Sequence, residues 1–407
     1  MMNEEQNDNL FLFPHADQFE GKFAKIKCVG IGGGGGNAIN HMMDAGIENV
    51  DFIAINTDAQ DLKRSKAPYL VHLGEGLTSG LGVGGDPVKG KAAAEESLEQ
   101  LKDLIANTDL LFITAGMGGG TGTGAAPVLA RIAKETYGDD ILVIGVVTRP
   151  FNFEGYVRAE IADKGIKELQ NYVDSMLIVP NERLFEIIDP KAKREEAFKM
   201  VDDVLLRAVR GISEVILRPG EMNIDYNDLK SIMLNSKRSL IGTGIAKGQD
   251  RHLKAAEQAL TSPLLEDADI TGAKGLIVFT STRNPDDNIT MPQLNAVMNM
   301  VMQYASNKSK IKYGTMYDRN LPPGSFSVTV IATGFSGNNN AHLTSRGNLV
   351  NGIGMDSGSR LKVQPIKRPS HIGMGGITRA PRNSDLFNSK SEFKLIPAFI
   401  RRRREGK

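Results

Sequence analysis

The chain has 407 residues, of which 41% are hydrophobic, so it can form two domains with large cores and still carry extensions. Its single cysteine, Cys28, excludes an internal disulfide framework and suits a reducing compartment. The longest aliphatic run, residues 141–147, is far shorter than the ~20 residues that cross a bilayer.

The formal net charge of +1 hides an uneven distribution. Residues 335–407 contain fourteen Lys or Arg and four Asp or Glu, whereas the rest of the chain contains 35 basic and 44 acidic residues. Because residues 335–390 are rich in Gly, Asn, Ser and Arg, we expect a disordered linker with an r.m.s. span of about 40 Å. Residues 391–407 then form a basic terminal peptide.

Residues 1–24 begin the chain with an acidic stretch and have no basic residue before Lys22. A Sec-type signal sequence starts with basic residues, so we expect none here. The expectation is a disordered N-terminal extension on a cytoplasmic protein.

A glycine-rich segment, residues 30–37, follows the strand-like residues 24–29 and precedes the helix-like residues 38–43. Glycine lets the backbone approach a ligand closely, and N–H groups at a helix N-terminus favour an anion. We predict a loop that holds a phosphate chain, through Gly33, Gly34, Gly35, Gly36 and Asn37.

The same segment also fits a different class of protein. Gly30, Gly32 and Gly35 match the dinucleotide fingerprint G-x-G-x-x-G, and Asp58 follows the next strand pattern. A dinucleotide-binding oxidoreductase of the Rossmann type is therefore the alternative. Residues 85–91 resemble a P-loop, but Ala92 replaces the Ser or Thr that would bind Mg²⁺, so we predict an ordinary surface loop there.

A second glycine-rich segment, residues 115–124, directly follows the buried-strand pattern of residues 110–113. A flexible turn is the plain alternative for such a segment. Two strand–glycine–helix units in one stretch favour instead two loops that meet on one nucleotide, which a Rossmann enzyme does not need.

From residue 25 to about 190, strand patterns alternate with helical ones, which predicts a parallel sheet covered by helices in a domain spanning 25–194. The predicted strands are 26–29, 52–55, 110–114, 141–147 and 175–179. Both glycine segments follow strands, so the ligand should lie at the carboxyl edge of the sheet.

Residues 195–220 predict a long, largely buried helix, because apolar residues recur every three or four positions until Pro219 and Gly220 end it. Residues 221–334 predict a smaller α+β domain. Its strand patterns are 275–280, 310–316 and 327–332.

Five strings connect these elements to a known family. Residues 119–124 read Gly-Gly-Thr-Gly-Thr-Gly, the tubulin signature loop, and residues 56–60, 150–155, 223–228 and 262–267 support it in order. From residue 25 to about 334 the chain resembles FtsZ, the tubulin-like cell-division GTPases of bacteria. The resemblance implies a tubulin-like α/β fold, GTP with Mg²⁺, head-to-tail filaments and a division ring beneath the membrane. The six histidines are scattered without metal-ligand spacing, so we predict no structural metal, and we expect no nucleic-acid partner.

The resemblance also implies roles for individual residues. The second part of the phosphate cradle would be Gly119, Gly120, Thr121, Gly122 and Thr123. Glu154 and Arg158 would contact the ribose and phosphates, although at this spacing they could be an exposed ion pair. Asn181, Asp202 and Asp203 would contact the sugar and guanine, although the two aspartates could be a solvated pair on the helix.

Residues 223–228 supply the implied catalytic loop, with Asn223, Asp225 and Asp228 orienting the attacking water in the neighbouring subunit. Taken alone, the same residues predict a loop in which Asp225 caps the following helix. Both interpretations can hold.

The extreme C-terminus resembles the family's partner-binding peptide. Its implied contacts are Ile396, Pro397, Phe399, Ile400 and Arg401, followed by further arginines to residue 404. The partner would be an adaptor of the division machinery or a membrane tether, with anionic lipid as an added contact. A solubilising basic tail is the plain alternative.

Overall fold

The computed structural model describes residues 24–186, 188, 191–217, 224–265, 272–306 and 308–335. Ten strands form one continuous sheet in the order β3-β2-β1-β4-β5-β6-β7-β10-β8-β9. The strands are β1 Ile26–Ile31, β2 Asp51–Asn56, β3 Tyr69–His72, β4 Leu110–Gly116, β5 Leu142–Arg149, β6 Ser175–Pro180, β7 Ser239–Lys247, β8 Gly275–Thr282, β9 Lys310–Tyr317 and β10 Ser325–Thr333.

Helices cover both faces of this sheet, and twelve α-helices occur in the part of the chain that the structure describes. They are α1 Gly32–Asp44, α2 Ala59–Arg64, α3 Glu75–Thr78, α4 Pro87–Glu96, α5 Leu98–Ile105, α6 Thr121–Tyr137, α7 Tyr156–Gln170, α8 Asn181–Leu184, α9 Arg194–Leu217, α10 Tyr226–Met233, α11 Arg251–Leu260 and α12 Met291–Tyr304. The first six strands are parallel, as the sequence predicts. None of the described helices is long and apolar enough to cross a membrane.

Strand β4 shows why the strands in the first half of the chain are nearly continuous apolar runs in the sequence. Leu110 and Phe112 belong to one buried cluster and Leu111 and Ile113 to another, because alternate side chains of a strand point to opposite faces. Burial on both faces requires an apolar residue at every position.

The predicted central helix is confirmed as α9, whose 24 residues span about 36 Å. Arg210 on this helix donates to the backbone oxygen of Ala45 at 2.5 Å and to the Asp318 carboxylate at 3.1 Å. It therefore links the end of α1 to the loop after β9.

The second half of the sheet is mixed. β10 pairs antiparallel with both β7 and β8, and β8 pairs parallel with β9. Helices α11 and α12 close a third buried cluster over these strands. β7 was not predicted, because Gly242 and Gly244 weaken its strand pattern. These glycines are required there, since a methyl group on either would lie within 2.1 Å of a backbone oxygen of α11.

Strand β3 was also not predicted, because it has only four residues at the edge of the sheet and gives no recognisable pattern. The predicted surface loop 85–91 is wrong from Pro87 onward, where α4 begins. The Asp86 side chain caps this helix by accepting from the Val88 N–H at 2.9 Å, and Pro87 suits the first helical position.

Candidate functional site

The two glycine-rich segments meet at one edge of the sheet. They follow the neighbouring strands β1 and β4, whose register places Gly30 opposite Thr114 and Ile31 opposite Ala115. The strand order reverses direction between β1 and β4, and such a switch point is where open α/β sheets bind ligands.

Backbone-to-backbone packing joins the two segments. A methyl group on Gly34 would lie 3.2 Å from the Gly116 backbone, and one on Gly122 would lie 2.9 Å from the Gly116 oxygen. One on Gly32 would lie 3.0 Å from the Gly122 nitrogen. Glycine at these positions therefore lets the two segments pack this closely.

The prediction that both segments are loops is corrected in part. α1 begins at Gly32 and α6 at Thr121, so much of each segment forms the first turn of a helix. Glycine is a poor helix former, but the backbone packing at this crossing overrides that preference.

Neither helix start has a side-chain cap or an acidic residue in its first turn. The N–H groups of a first helical turn have no partner within the helix, and the helix dipole adds positive potential there. Two uncapped helix starts side by side form a site for an anion with several oxygen atoms.

A cavity of about 190 Å³ lies beside the first turn of α1. Gly33, Gly36 and Asn37 line it from the helix, and Asn56, the last residue of β2, and Asp61 of α2 line it from the other side. Gly36 and, in the second glycine segment, Gly119 have no neighbour where a side chain would project.

The threonines of the predicted cradle make bonds inside the protein. The Thr121 and Thr57 hydroxyls share a hydrogen bond of 2.7 Å, and the Thr123 hydroxyl accepts from the Gly118 N–H at 2.8 Å. These bonds hold the shape of the second segment.

Glu154 and Arg158 lie next to the second segment. Their side chains pair at 3.1 Å, and the Glu154 carboxylate also accepts from the Phe151 N–H at 2.9 Å. The Arg158 backbone oxygen would lie 2.7 Å from a methyl group on Gly118. The ion pair predicted as the alternative is present, and half of the Arg158 side chain remains exposed to solvent.

Asn181 lies at the start of α8, and Asp202 and Asp203 lie in the third turn of α9. Asn181 is 5% exposed, and its buried Oδ1 has no hydrogen-bond partner among the described residues. A buried polar atom without a partner is destabilising, so this oxygen marks a place where a ligand donor fits.

Two residues near this end of the site were not predicted. His41 Nε2 lies 2.6 Å from Asp203 Oδ1, which ties α1 to α9. Phe198, one helical turn before Asp202, packs edge-on against Phe151, with ring centroids 5.5 Å apart. The spacing of Phe198 and Asp202 on one predicted helix was the signal that could have found it.

Burial raises the pKa of the Asp202 carboxyl to about 6, Asp203 adds to the rise and His41 opposes it. A carboxyl with a higher pKa in the folded chain stabilises the fold while protonated, and this contribution is lost as the pH rises from about 4 to about 6. The charged Asp202 therefore destabilises the free protein at neutral pH.

Asp202→Asn is expected to raise the free energy of unfolding by about 1–3 kcal/mol at pH 7.5, with a gain that shrinks steadily below pH 6. Urea unfolding of both proteins between pH 4.5 and 8 measures it. Asp203→Asn is the matched control: it removes the charge that adds to the rise in the Asp202 pKa, but it also weakens the bond to His41, so its gain should be smaller than that of Asp202→Asn. A gain that does not change with pH would contradict the burial argument.

Asp225 and Asp228 lie at the opposite edge of the sheet from the glycine segments. The Tyr226 hydroxyl donates at 2.7 Å to the oxygen of Asp109, the residue before β4, whereas the second glycine segment follows the far end of that strand. Seven residues of β4 span about 23 Å. One chain therefore does not bring these aspartates to its own glycine segments.

The predicted capping role of Asp225 is present, because its side chain accepts from the Asp228 N–H at 2.6 Å. Asp228 Oδ1 pairs with Lys312 Nζ at 2.5 Å. Asn223 lies outside the described residues, as do the tail residues Ile396, Pro397, Phe399, Ile400 and Arg401.

Two family models match the chain: the Tubulin/FtsZ family GTPase domain over residues 25–189 and the FtsZ family C-terminal domain over residues 238–336. The curated Cell division protein FtsZ of Coxiella burnetii is 40% identical over 397 residues, covering 94% of this chain and 97% of that protein. The chain belongs to the FtsZ family. The FtsZ of Pseudomonas aeruginosa is 41% identical over 391 residues, covering 93% and 96%.

Solved structures agree with the FtsZ assignment. The empty FtsZ dimer of M. jannaschii superposes with a TM-score of 0.72 at 41% identity, covering 76% of this chain and 88% of that one. The GTPgS-bound protofilament of CetZ2 from Haloferax volcanii has a TM-score of 0.64 at 22% identity, covering 76% and 93%, and shows the fold alone. The predicted tubulin-like α/β fold is confirmed.

The protein is accordingly a GTPase of the FtsZ type, and the oxidoreductase alternative is not favoured. The fingerprint residues have other roles here. A methyl group on Gly30 would lie 2.4 Å from the Gly35 oxygen, and the Asp58 side chain caps α2 by accepting from the Gln60 N–H at 2.8 Å.

Proposed function

We propose that the protein binds GTP at the glycine segments and hydrolyses it in head-to-tail filaments, where the catalytic loop of one subunit completes the site of the next. The observation that carries this proposal is the separation between two uncapped helix starts at one edge of the sheet and Asp225 and Asp228 at the other. A shared site needs these two halves on opposite ends of a subunit.

The phosphates are held mainly by backbone groups. Neither glycine segment contains a lysine, so N–H donors from Gly33 to Asn37 and from Gly119 to Thr123 face the negative oxygens. Arg158 is a cationic side chain beside the second segment, and Glu154 fixes its position. Preorganised donors of this kind stabilise the charge that develops as a phosphoryl group is transferred.

Mg²⁺ fits this site as a partner of the phosphates. No group of three or more His, Cys, Asp or Glu side chains among the described residues is placed to hold a metal ion. Mg²⁺ usually keeps several waters and needs only one or two carboxylates in addition to phosphate oxygens. Asp61 fits that role, because its Oδ2 lies 3.2 Å from the position of a methyl group on Gly33. The ion would neutralise phosphate charge.

The guanine base would lie between Asn181 and the third turn of α9. A carboxylate there can accept from N1–H and the exocyclic amine of guanine, a pattern that adenine cannot offer. Asp203 has one oxygen bonded to His41 and a second for the base. Phe198 lies one turn away and offers an apolar contact for the base.

Catalysis then needs Asn223, Asp225 and Asp228 from the adjacent subunit. Each carboxylate can accept a hydrogen bond from the attacking water and orient it toward the γ-phosphate. Lys312 holds Asp228 by one oxygen, which leaves the other for that water.

Self-association follows the family pattern. The solved M. jannaschii relative is a dimer and the CetZ2 relative a protofilament. By the same reasoning the protein works at the division site, as a cytoplasmic filament that forms a ring beneath the membrane.

The test of this function combines light scattering and phosphate release on the full chain. Scattering should rise only with GTP and Mg²⁺, and phosphate release should start above the same protein concentration. In a competition titration, GTP should displace a bound fluorescent guanine nucleotide far better than ATP. If ATP displaced the fluorescent nucleotide equally well, the proposed specificity for guanine would be wrong.

For the tail, we propose that Ile396, Pro397, Phe399, Ile400 and Arg401 bind a division-machinery adaptor or membrane tether, with anionic lipid as a second contact. The support is the basic composition of residues 335–407 beside a body of net negative charge. A linker with an r.m.s. span of about 40 Å lets many tails of one filament bind together.

Truncation after residue 391 is expected to leave GTP binding and assembly nearly intact and to abolish recruitment, because a segment without a core adds little folding free energy. Phe399→Ala should mainly weaken adaptor binding. Replacing the four arginines at residues 401–404 by glutamine should mainly weaken binding to anionic lipid and make that binding less dependent on salt. Pull-down and liposome flotation measure these effects. A truncated chain that still co-sediments with both would leave the tail a solubilising extension.

A further inference from the structure

A second cavity, of about 450 Å³, lies away from the glycine segments. It is bounded by the end of α10, the loop before β7 and the starts of β8 and β9. Ile232, Leu234 and Phe335 give it an apolar lining, and Lys237, Lys274 and Lys310 stand around it. We call this site the basal cavity.

The positive charges around the basal cavity have no acidic partners among the described residues. Its three lysines are exposed, none makes an ion pair with a described residue, and no acidic residue lines the cavity. The buried Ser236 hydroxyl oxygen there also lacks a hydrogen-bond partner among the described residues. An apolar centre with a positive rim fits a peptide that combines acidic and apolar side chains.

The loop that presents one of these lysines is held in a strained shape. Lys237 has a φ angle of +63°, in the left-handed region that a lysine rarely adopts, and Asn235, whose side chain tolerates this region better, has +54°. The Lys237 N–H donates to the Asp174 oxygen at 2.7 Å, and its own oxygen accepts from Met176 at 3.1 Å. Strain maintained by surrounding bonds is a feature of binding sites.

The N-terminal and C-terminal segments of the chain are the two candidates to occupy the basal cavity, and their net charges distinguish them. Residues 335–407 carry a net charge of +10 and would be repelled by the lysines. Residues 1–23 contain five acidic residues and one lysine, with the apolar run Leu-Phe-Leu-Phe at positions 10–13. The N-terminal segment therefore matches both properties of the basal cavity.

The N-terminal segment is also long enough. Its attachment point is close, because the Lys25 N–H donates to Asp109 Oδ2 at 2.8 Å and the Asp109 oxygen accepts from Tyr226 at the start of α10. From Tyr226 the eight residues of α10 lead to the cavity over about 12 Å. Residues 10–13 lie eleven or more positions before Ala24, a reach of about 36 Å when extended.

We propose that residues 4–20 dock in the basal cavity of their own chain, with the apolar run 10–13 against Ile232, Leu234 and Phe335 and the acidic residues against the lysines. The cavity lies at the far end of the helix whose first turn carries Asp228. Docking therefore covers part of the face that the proposed filament presents to the next subunit, and it opposes assembly. This consequence rests on the proposed function, whereas the docking does not.

The test uses cross-linking in the full chain, at low concentration and without nucleotide. Cys28 is fully buried and burial raises the pKa of its thiol, so introduced cysteines react alone. Phe11→Cys is combined either with Ser231→Cys, at the basal cavity, or with Leu81→Cys, an exposed position at the opposite edge of the sheet. A short bis-maleimide should link the first pair within one chain much faster than the second.

The lysines should control this reaction. Lys274→Glu with Lys310→Glu is expected to slow the cross-link about fivefold, the effect of a few exposed ion pairs, and high salt should act likewise. Adding Glu4→Lys, Glu5→Lys and Asp8→Lys should restore the rate. Equal rates for the two cysteine pairs, or no response to the lysines, would overturn the proposal. Cross-linked dimers would assign the cavity to a second copy and also overturn it.

Assembly gives a separate measurement. The full chain with Glu4→Lys, Glu5→Lys and Asp8→Lys should assemble with GTP at a lower critical concentration than the wild type. If no variant assembles with GTP, the proposed function fails while the cross-linking result stands. If cross-linking fails while assembly is normal, only the docking is wrong.

Discussion

Gly35→Ala is expected to destabilise the folded chain by about 3 kcal/mol, whereas Gly36→Ala, one residue further on, should leave stability unchanged or slightly higher. Both residues belong to the five-glycine run that begins α1. A methyl group on Gly35 would lie 2.5 Å from the Thr114 oxygen and 2.8 Å from the Gly30 carbonyl carbon. Both neighbours are backbone atoms of central strands, so α1 itself would have to move.

Gly36 has no atom within 4 Å of the position its side chain would take, and it lines the cavity beside the first turn of α1. Alanine there should gain up to about 1 kcal/mol from its helix propensity. If the phosphates of GTP bind beside this turn, the same methyl group occupies their space, and GTP affinity should fall about tenfold, or 1.4 kcal/mol.

Thermal unfolding and nucleotide titration of the two variants separate packing from binding. The expected pattern is an unstable protein for Gly35→Ala and a stable protein with weak GTP binding for Gly36→Ala. A Gly36→Ala variant that binds GTP like the wild type would move the phosphates away from this part of α1. An unchanged melting temperature for Gly35→Ala would contradict the backbone packing.

The comparison of these two glycines explains what the sequence could predict at the site. Composition locates both glycine segments, and the strands before them place the segments at one edge of the sheet. Composition cannot distinguish the glycine that packs against the backbone of the sheet from the one that faces a ligand, because Gly35 and Gly36 are neighbours in a uniform run. That distinction depends on α1 crossing β4, a contact between residues distant in sequence.

The fold was predictable where local pattern and burial agree. Strands β1, β2, β4, β5 and β6 are apolar runs followed by turn or helix signals, and their positions are confirmed within a few residues. β7 could not be found, because its two glycines follow from the close approach of α11. The bond between His41 and Asp203 could not be predicted either, since these two residues lie 162 positions apart in the sequence.

Asp228→Ala is expected to bind GTP normally and to hydrolyse it at least about a hundredfold more slowly, as expected when a group that orients the attacking water is removed. GTP binding should persist because Asp228 lies at the opposite edge of the sheet from the glycine segments. Removing Asp228 also frees Lys312, which is partly exposed and can be hydrated. Filaments should still form, and they should persist because their nucleotide is not turned over.

Mixing this variant with the wild type distinguishes a shared site from a site within one chain. In a shared site each Asp228→Ala subunit gives a defective loop to a neighbour with an intact nucleotide site, so phosphate release should fall below the value for the wild-type fraction alone. A site within one chain would give simple proportional dilution.

Asp225 provides the matched control. Asp225→Asn retains a residue that can accept from the Asp228 N–H and cap α10, but it lacks the charge. Asp225→Ala loses the cap as well, at about 1 kcal/mol of stability. If the charge of Asp225 orients water, both variants should lose turnover and only Asp225→Ala should lose stability. Full turnover in Asp225→Asn would leave Asp225 with the capping role alone, and the water would then depend on Asp228 and Asn223.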